Sequence, residues 1–143
     1  MNYKKINKNA ITPTYGTPLS AGADLYNLPD CDVTIPPHST VLIHTGIAVE
    51  IPEGYCGLIF ARSGLATKRG LAPANKVGVI DADYRGEIMV ALHNHTATEA
   101  TVLAGERVAQ MVITPFVQVS FDEVEELTET QRGGGGFGST GRT

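Results

Sequence analysis

Short apolar, β-branched runs alternate with turn residues along most of the chain. They span Asp32 to Ile35, Thr40 to Val49, Gly54 to Ala61, Val77 to Ile80, Glu87 to His93, Thr101 to Leu103, Val108 to Thr114 and Val117 to Phe121, and each predicts a strand. Pro36-Pro37, Pro52-Glu53-Gly54 and Ala104-Gly105-Glu106 interrupt the runs. Breaks spaced by about ten residues fit a sandwich, jelly roll or barrel better than alternating βαβ units. The expected fold class is therefore all-β, and no repeat of fixed period is present. One segment is punctuated differently. Ser63 can cap a short helix from Gly64 to Arg69, with Lys68 and Arg69 in its last turn and Gly70 at the C′ position. Beyond Phe121 the chain turns acidic and then glycine-rich, without the apolar periodicity that would dock it.

Length changes this picture little, because 143 residues make one domain of ordinary size. A chain of this size hides about 68% of its unfolded surface, enough for a core but not for a core plus a pocket closed on all sides. A substrate site shared between chains is the expected remedy. Nine aromatics and no Trp leave the core short of large side chains. Six of the 16 glycines lie between Gly133 and Gly141. Asp122, Glu123, Glu125, Glu126 and Glu129 supply five of the 15 acids, so most of the net charge of -4 is local. That balance argues against stable binding to nucleic acid or to an anionic membrane, both of which need a basic surface. Cys31 and Cys56 have neither metal-ligand spacing nor the density of a disulfide scaffold, so reduced, partly buried thiols and a cytoplasmic location are expected. Lys4, Lys5 and Lys8 precede no apolar leader segment, and no later run reaches the length of a membrane span.

Arg62-Ser63-Gly64 places a guanidinium and a hydroxyl where the short helix begins, a combination that favours a phosphate. Taken alone, the tripeptide is read more simply as a cap beside a solvated strand end. Gly78-Val79-Ile80-Asp81-Ala82-Asp83-Tyr84-Arg85-Gly86-Glu87 reads as a β-hairpin between two apolar strands. Turn acids commonly only shape the turn. Here an acid directly follows an apolar run, with an aromatic three residues on, so Asp81 or Asp83 could activate a water. Gly133, Gly135 and Gly138 formally spell G-x-G-x-x-G, but no strand feeds the motif and no helix can follow it, so a dinucleotide fold is rejected. A plain linker has no use for Phe137, Arg132 and Ser139-Thr140, which offer a stacking platform and phosphate partners. His93 and His95 lack a third ligand at a recognisable spacing and read as surface histidines at a strand end.

Together these elements make a phosphate clamp, an acid with an aromatic, and a glycine arm with an aromatic lid. The sequence resembles the trimeric deoxyuridine triphosphate nucleotidohydrolase (dUTPase) family, whose five ordered motifs all have counterparts here. They are Ala21 to Leu25, Arg62 to Leu65, Gly78 to Gly86, Gly105 to Gln110, and Arg132 to Gly141. The resemblance implies a jelly-roll-like β-barrel subunit over residues 1–121, and a segment 122–143 whose arm closes a neighbouring site in a homotrimer. It also implies hydrolysis of dUTP to dUMP and pyrophosphate, with Mg²⁺ on the triphosphate. By that resemblance Asp81 orients the attacking water and touches the 3′-hydroxyl, and Tyr84 packs beneath the sugar, excluding a 2′-hydroxyl. Asn75 and the backbone of Gly78, Val79 and Ile80 read uracil, with Met89 lining the pocket. Arg62, Ser63, Gly64 and Gln110 hold phosphates. Phe137 stacks on uracil, Arg132, Gly138, Ser139 and Thr140 close on the γ-phosphate side, and Asp24 acts through water near the metal.

Two rival readings differ in class: a related trimeric dCTP deaminase, and a noncatalytic nucleotide-binding β-barrel. The first is disfavoured because the deaminase's glutamate region has no match and its family lacks this Phe137-containing arm; the second because Asp81 and the arm are both present. One departure from the family pattern stands at Ala61, where the family often has Pro. It lies outside the contacting groups, so little effect is expected.

Overall fold

In the computed structural model, which describes residues 1–136, the period-two alternation becomes strands that bury one face. In chain order these are β1 (Asn2–Lys5), β2 (Thr14–Tyr15), β3 (Ala23–Tyr26), β4 (Val33–Ile35), β5 (Thr40–His44), β6 (Ile47–Glu50) and β7 (Tyr55–Phe60). The helix α1 (Ser63–Arg69) follows, and then β8 (Leu71–Pro73), β9 (Gly78–Ile80), β10 (Met89–Asn94), β11 (Ala100–Val102) and β12 (Arg107–Pro115). All strand pairs are antiparallel. The largest sheet has five strands in the order β2-β3-β12-β7-β9, and a three-stranded sheet runs β5-β10-β8, with β1-β6 and β11-β4 as two-stranded ribbons. This is a jelly-roll-like all-β fold.

The core is aliphatic. Leu25, Ile59, Val108 and Met111 of the large sheet and Ile43, Val90 and Leu92 of the smaller one belong to one buried cluster. In β10 the alternation is strict, burying Val90, Leu92 and Asn94 while Met89, Ala91 and His93 are less covered. Buried Asn94 is satisfied by donating to the carbonyls of Ile35 at 3.1 Å and Thr98 at 2.8 Å, as a buried amide must be.

Four expectations about the course of the chain are corrected. The run from Thr40 to Val49 breaks at Thr45-Gly46, because Gly46 takes φ +68° and a Cβ there would lie 2.8 Å from Ala10 and Leu28. That left-handed turn sends β5 to one sheet and β6 to another. The segment Gly78 to Glu87 is not a hairpin: β9 pairs with β7, while β10 pairs with β5 and β8. Residues 81–88 therefore cross between sheets.

Val117 to Phe121 forms no strand. Pro115 closes the register of β12 against Tyr55, a last backbone bond runs from Phe116 N–H to the Gly54 carbonyl, and no neighbouring strand is in reach among the described residues. A strand without a partner leaves its backbone unpaired, and Val117 and Phe121 are 85% and 95% exposed. Finally, Ser63 does not cap α1. Arg62 occupies the cap position, with no side-chain cap bond, and Ser63 is the first helical residue.

The stop signal of α1 forms as expected. Gly70 adopts φ +63° and its N–H bonds the Leu65 carbonyl. Cys56 is partly buried as expected, whereas Cys31 is exposed and both thiols are free. Strands β1, β2, β3 and β8 escape a search for alternation. β3 is buried at three consecutive positions, β1 and β2 are exposed throughout, and each has four residues or fewer.

Candidate active site

β9 is the outer strand of the five-stranded sheet, so the side of its backbone facing away from β7 is left without ladder partners. Gly78 is allowed so close to β7 because it has no side chain: a Cβ would sit 3.2 Å from the Ile59 Cβ and 3.3 Å from the Asn75 amide nitrogen. Asn75 is thereby drawn against β9. A cavity of about 280 Å³ opens here, lined by Asn75, Gly78, Val79, Ile80, Asp81, Tyr84 and Met89 among others. Its apolar wall includes Leu42, Ile59, Pro73 and Ala91, which sequence reading did not single out. Leu42 was detectable only through its register opposite Ala91.

Tyr84 is held by its own loop. Its N–H bonds the Asp81 carbonyl at 3.2 Å, its hydroxyl donates to the Glu87 carbonyl at 3.0 Å, and a Cβ on Gly86 would fall 2.3 Å from that hydroxyl. The ring thus lies over a position that only glycine can fill. Arg85 folds back to donate to the carbonyls of Ala82 and Tyr84.

A second cavity, of about 580 Å³, lies at the other side of β7. Asp24 on β3 stands opposite Gln110 on β12, and Gln110 opposite Phe60 on β7, so these strands bring Asp24, Gln110 and the neighbourhood of Arg62 to one end of the sheet. Asp24 is 8% exposed. Its two carboxylate oxygens accept from Arg62 Nε at 2.8 Å and Arg107 Nη1 at 3.2 Å. A carboxylate this covered must be paired, and here it fixes two guanidiniums in one place. The register slips between Arg107 and Ala109, and such a bulge re-aims side chains at a sheet's end.

Gln110 donates to the Ala61 carbonyl at 2.9 Å. Gly22 makes the room, since a Cβ there would be 2.6 Å from Gln110 Oε1. A proline at position 61 would keep the same carbonyl, which explains why the Ala61 departure is harmless to this contact. Ser63 and Gly64 also line it, as do Arg107, which lies within the fourth motif but is given no role there, and Ser20, which lies outside every motif.

Among the described residues the two cavities have no lining residue in common. Arg132 lines neither; its Nε donates to the Gly135 carbonyl at 2.9 Å in a local turn. Phe137, Gly138, Ser139 and Thr140 lie outside the described residues. Among the described residues no group of three or more His, Cys, Asp or Glu could hold a metal, and no helix is long and apolar enough to cross a membrane. His93 and His95 stack edge to face at 4.5 Å, and His93 Nδ1 bonds Thr40 Oγ1 at 2.9 Å. Local desolvation, then the neighbouring His93, Lys76 and His38, hold His95 below its ordinary pKa.

Comparison with known proteins covers nearly the whole chain. The dUTPase family model matches residues 8–141. A deoxyuridine 5′-triphosphate nucleotidohydrolase of Nautilia profundicola is 49% identical over 142 residues, spanning 99% of each chain. One from Hydrogenobaculum sp. is 50% identical over 138 residues, 96% of this chain and 95% of the relative. Among solved structures, a variant of the Staphylococcus bacteriophage 80alpha dUTPase with dUpNHpp aligns with TM-score 0.90 at 30% identity, over 98% of this chain and 97% of that one. A variant of the phage phi11 dUTPase of S. aureus, solved with attention to a structural Mg(II) ion, aligns with TM-score 0.79 at 27% identity, over 87% and 96%.

Proposed function

Because this chain belongs to the dUTPase family, we propose that its two cavities are the nucleoside half and the phosphate half of a site for dUTP. The reaction is hydrolysis of dUTP to dUMP and pyrophosphate. The observation that carries this reading is that residues of the first four family motifs gather in two cavities that share no lining residue among the described ones. One chain presents both halves but joins neither to the other. A complete site is then made between subunits of a homotrimer, with the nucleoside cavity of one chain facing the phosphate cavity of the next.

In the nucleoside half, the free edge of β9 at Gly78, Val79 and Ile80 supplies backbone donors and acceptors to uracil, with Asn75 beside them and Met89 on the wall. A wrong base would cover those groups without pairing them, at about 1–3 kcal/mol each. Tyr84 lies beneath the deoxyribose and fills the space of a 2′-hydroxyl. Asp81, at the end of β9, accepts a proton from the water that attacks the α-phosphorus and receives the 3′-hydroxyl. In the phosphate half, Arg62, Ser63, Gly64 and Gln110 orient the triphosphate in line with that water.

Mg²⁺ prefers phosphate oxygens and waters to a protein cage, which suits a site without a ligand cluster. Both oxygens of Asp24 are engaged by arginines, yet a carboxylate has about four lone-pair sites. Asp24 therefore fits a partner reached through a metal-bound water better than a direct ligand. When bound, the metal neutralises charge developing on the phosphates.

Residues 122–143 act as an arm that closes a neighbouring site, with Phe137 on the base and Arg132, Gly138, Ser139 and Thr140 at the γ-phosphate. Truncation after Gln131 is expected to lower turnover about 10²-fold, the scale of lost substrate positioning, with the trimer intact by sedimentation. Full activity in the truncated protein would reduce the arm to a linker. The reading as a whole is tested by pyrophosphate release from dUTP, dCTP, dTTP and UTP with Mg²⁺. Rapid release from dUTP alone is expected; equal rates on dUTP and UTP would remove the role given to Tyr84, and deamination of dCTP would favour the rival family.

A further inference from the structure

Glu87 lies at the seam between the nucleoside cavity and the turn that joins β5 to β6. Its carboxylate is only 20% exposed. One oxygen accepts the Gly46 N–H at 2.8 Å and the other meets His44 Nδ1 at 2.9 Å. Its main-chain carbonyl accepts the Tyr84 hydroxyl at 3.0 Å. The next residue continues the attachment: Ile88 N–H bonds the Ile47 carbonyl at 2.8 Å, and the Ile88 carbonyl accepts Thr45 Oγ1 at 2.6 Å.

The anchoring turn is itself rigid. Gly46 sits at φ +68° with no room for a Cβ, and its carbonyl accepts the Ile6 N–H at 2.7 Å. Tyr84, by contrast, is 41% exposed, and among the described residues the hydroxyl at its far end is tied to the Glu87 carbonyl alone. The height of the ring over the cavity is therefore set by where the residue 87 carbonyl stands, and that carbonyl is held from two sides, by the Ile88 N–H of the same peptide unit on Ile47 and by the Glu87 carboxylate on the β5–β6 turn.

We infer that Glu87 is a positioning residue for sugar selection: by pinning the residue 87 carbonyl to the β5–β6 turn, it fixes the Tyr84 ring at the level that excludes a 2′-hydroxyl. The inference rests on the sugar-packing role proposed for Tyr84. Its chemical class is ribose against deoxyribose, and no group on Glu87 need touch the substrate. A displacement of well under a bond length matters here, because a hydroxyl is refused by contact.

The test is kcat/KM for dUTP and UTP measured side by side. Glu87→Ala, which loses both carboxylate contacts, is expected to lower the dUTP-to-UTP ratio roughly tenfold, chiefly through a higher relative rate on UTP. Glu87→Gln can still accept from Gly46 and keeps an amide within reach of His44, and is expected to hold the ratio within about twofold of the parent. His44→Ala, at an exposed position that does not endanger folding, removes one contact and should lower the ratio about threefold. An equal fall on both nucleotides in Glu87→Ala, or an unchanged ratio in both alanine variants, would overturn the inference. If Glu87→Ala does not fold, the His44→Ala ratio decides. A parent protein that does not distinguish dUTP from UTP would instead overturn the role of Tyr84.

Discussion

Asp81→Asn is expected to retain nucleotide binding and to lose roughly 10²- to 10⁴-fold in dUTP hydrolysis, the range of a displaced general base. Asp81 follows β9 directly and lines the nucleoside cavity, so its backbone position is fixed by the same strand that faces the base. Its carboxylate is in none of the ion pairs among the described residues. Asp24 offers the contrast, with both oxygens committed to arginines. A carboxylate whose two oxygens are taken by guanidiniums has little room to hold a water, whereas one outside any ion pair at a strand end can accept its hydrogen bond. Asparagine keeps the shape and the hydrogen-bonding reach but cannot take that proton. Calorimetric binding of dUpNHpp should stay within about threefold of the parent while pyrophosphate release collapses. Unchanged hydrolysis would transfer the role to Asp83, which is exposed two residues further along the same crossover.

Mixing two inactive chains should restore activity. Asp81→Asn damages only the nucleoside cavity, and Arg62→Gln damages only the phosphate cavity while leaving Asp24 a possible amide donor. If each site takes one cavity from each of two neighbours, a randomly mixed trimer has intact sites wherever an Arg62→Gln chain supplies Asp81 to an Asp81→Asn chain that supplies Arg62. With equal proportions that occurs at about a quarter of the sites. Coexpressed chains should therefore regain about a quarter of parental turnover, against near-zero for either variant alone. No recovery in a mixture shown to contain both chains would mean that one chain completes its own site.

Much of the fold was legible because most strands announce themselves locally. β7, β10 and β12 alternate or run apolar between glycine and proline breaks, and Gly70 stops α1 by a conformation that no other residue takes as cheaply. What was not legible depends on register at long range. Nothing within Gly78 to Glu87 reveals that β9 and β10 belong to different sheets, because the pairing choice is made by β7 and β5. The hydroxyl of Ser63 looked like a cap, but Arg62 reached the cap position while bonded to Asp24, 38 residues away. The chemistry of the candidate site was readable as residue types in order, while its division into two cavities follows from strand order, which composition does not encode. Glu87 was invisible for the same reason, since its partners at His44 and Gly46 are more than 40 residues distant.

The free edge of β9 has a cost as well as a use. An unpaired strand edge is the feature by which folded proteins recruit foreign strands and aggregate, and this one must stay open if it is to meet a base. The chain limits the hazard by keeping the strand to three residues and ending it at an acid, Asp81. So short a stretch offers an intruding strand little purchase, and the charge at its end discourages extension. The position proposed to activate water is thus also one where a charge discourages strand addition.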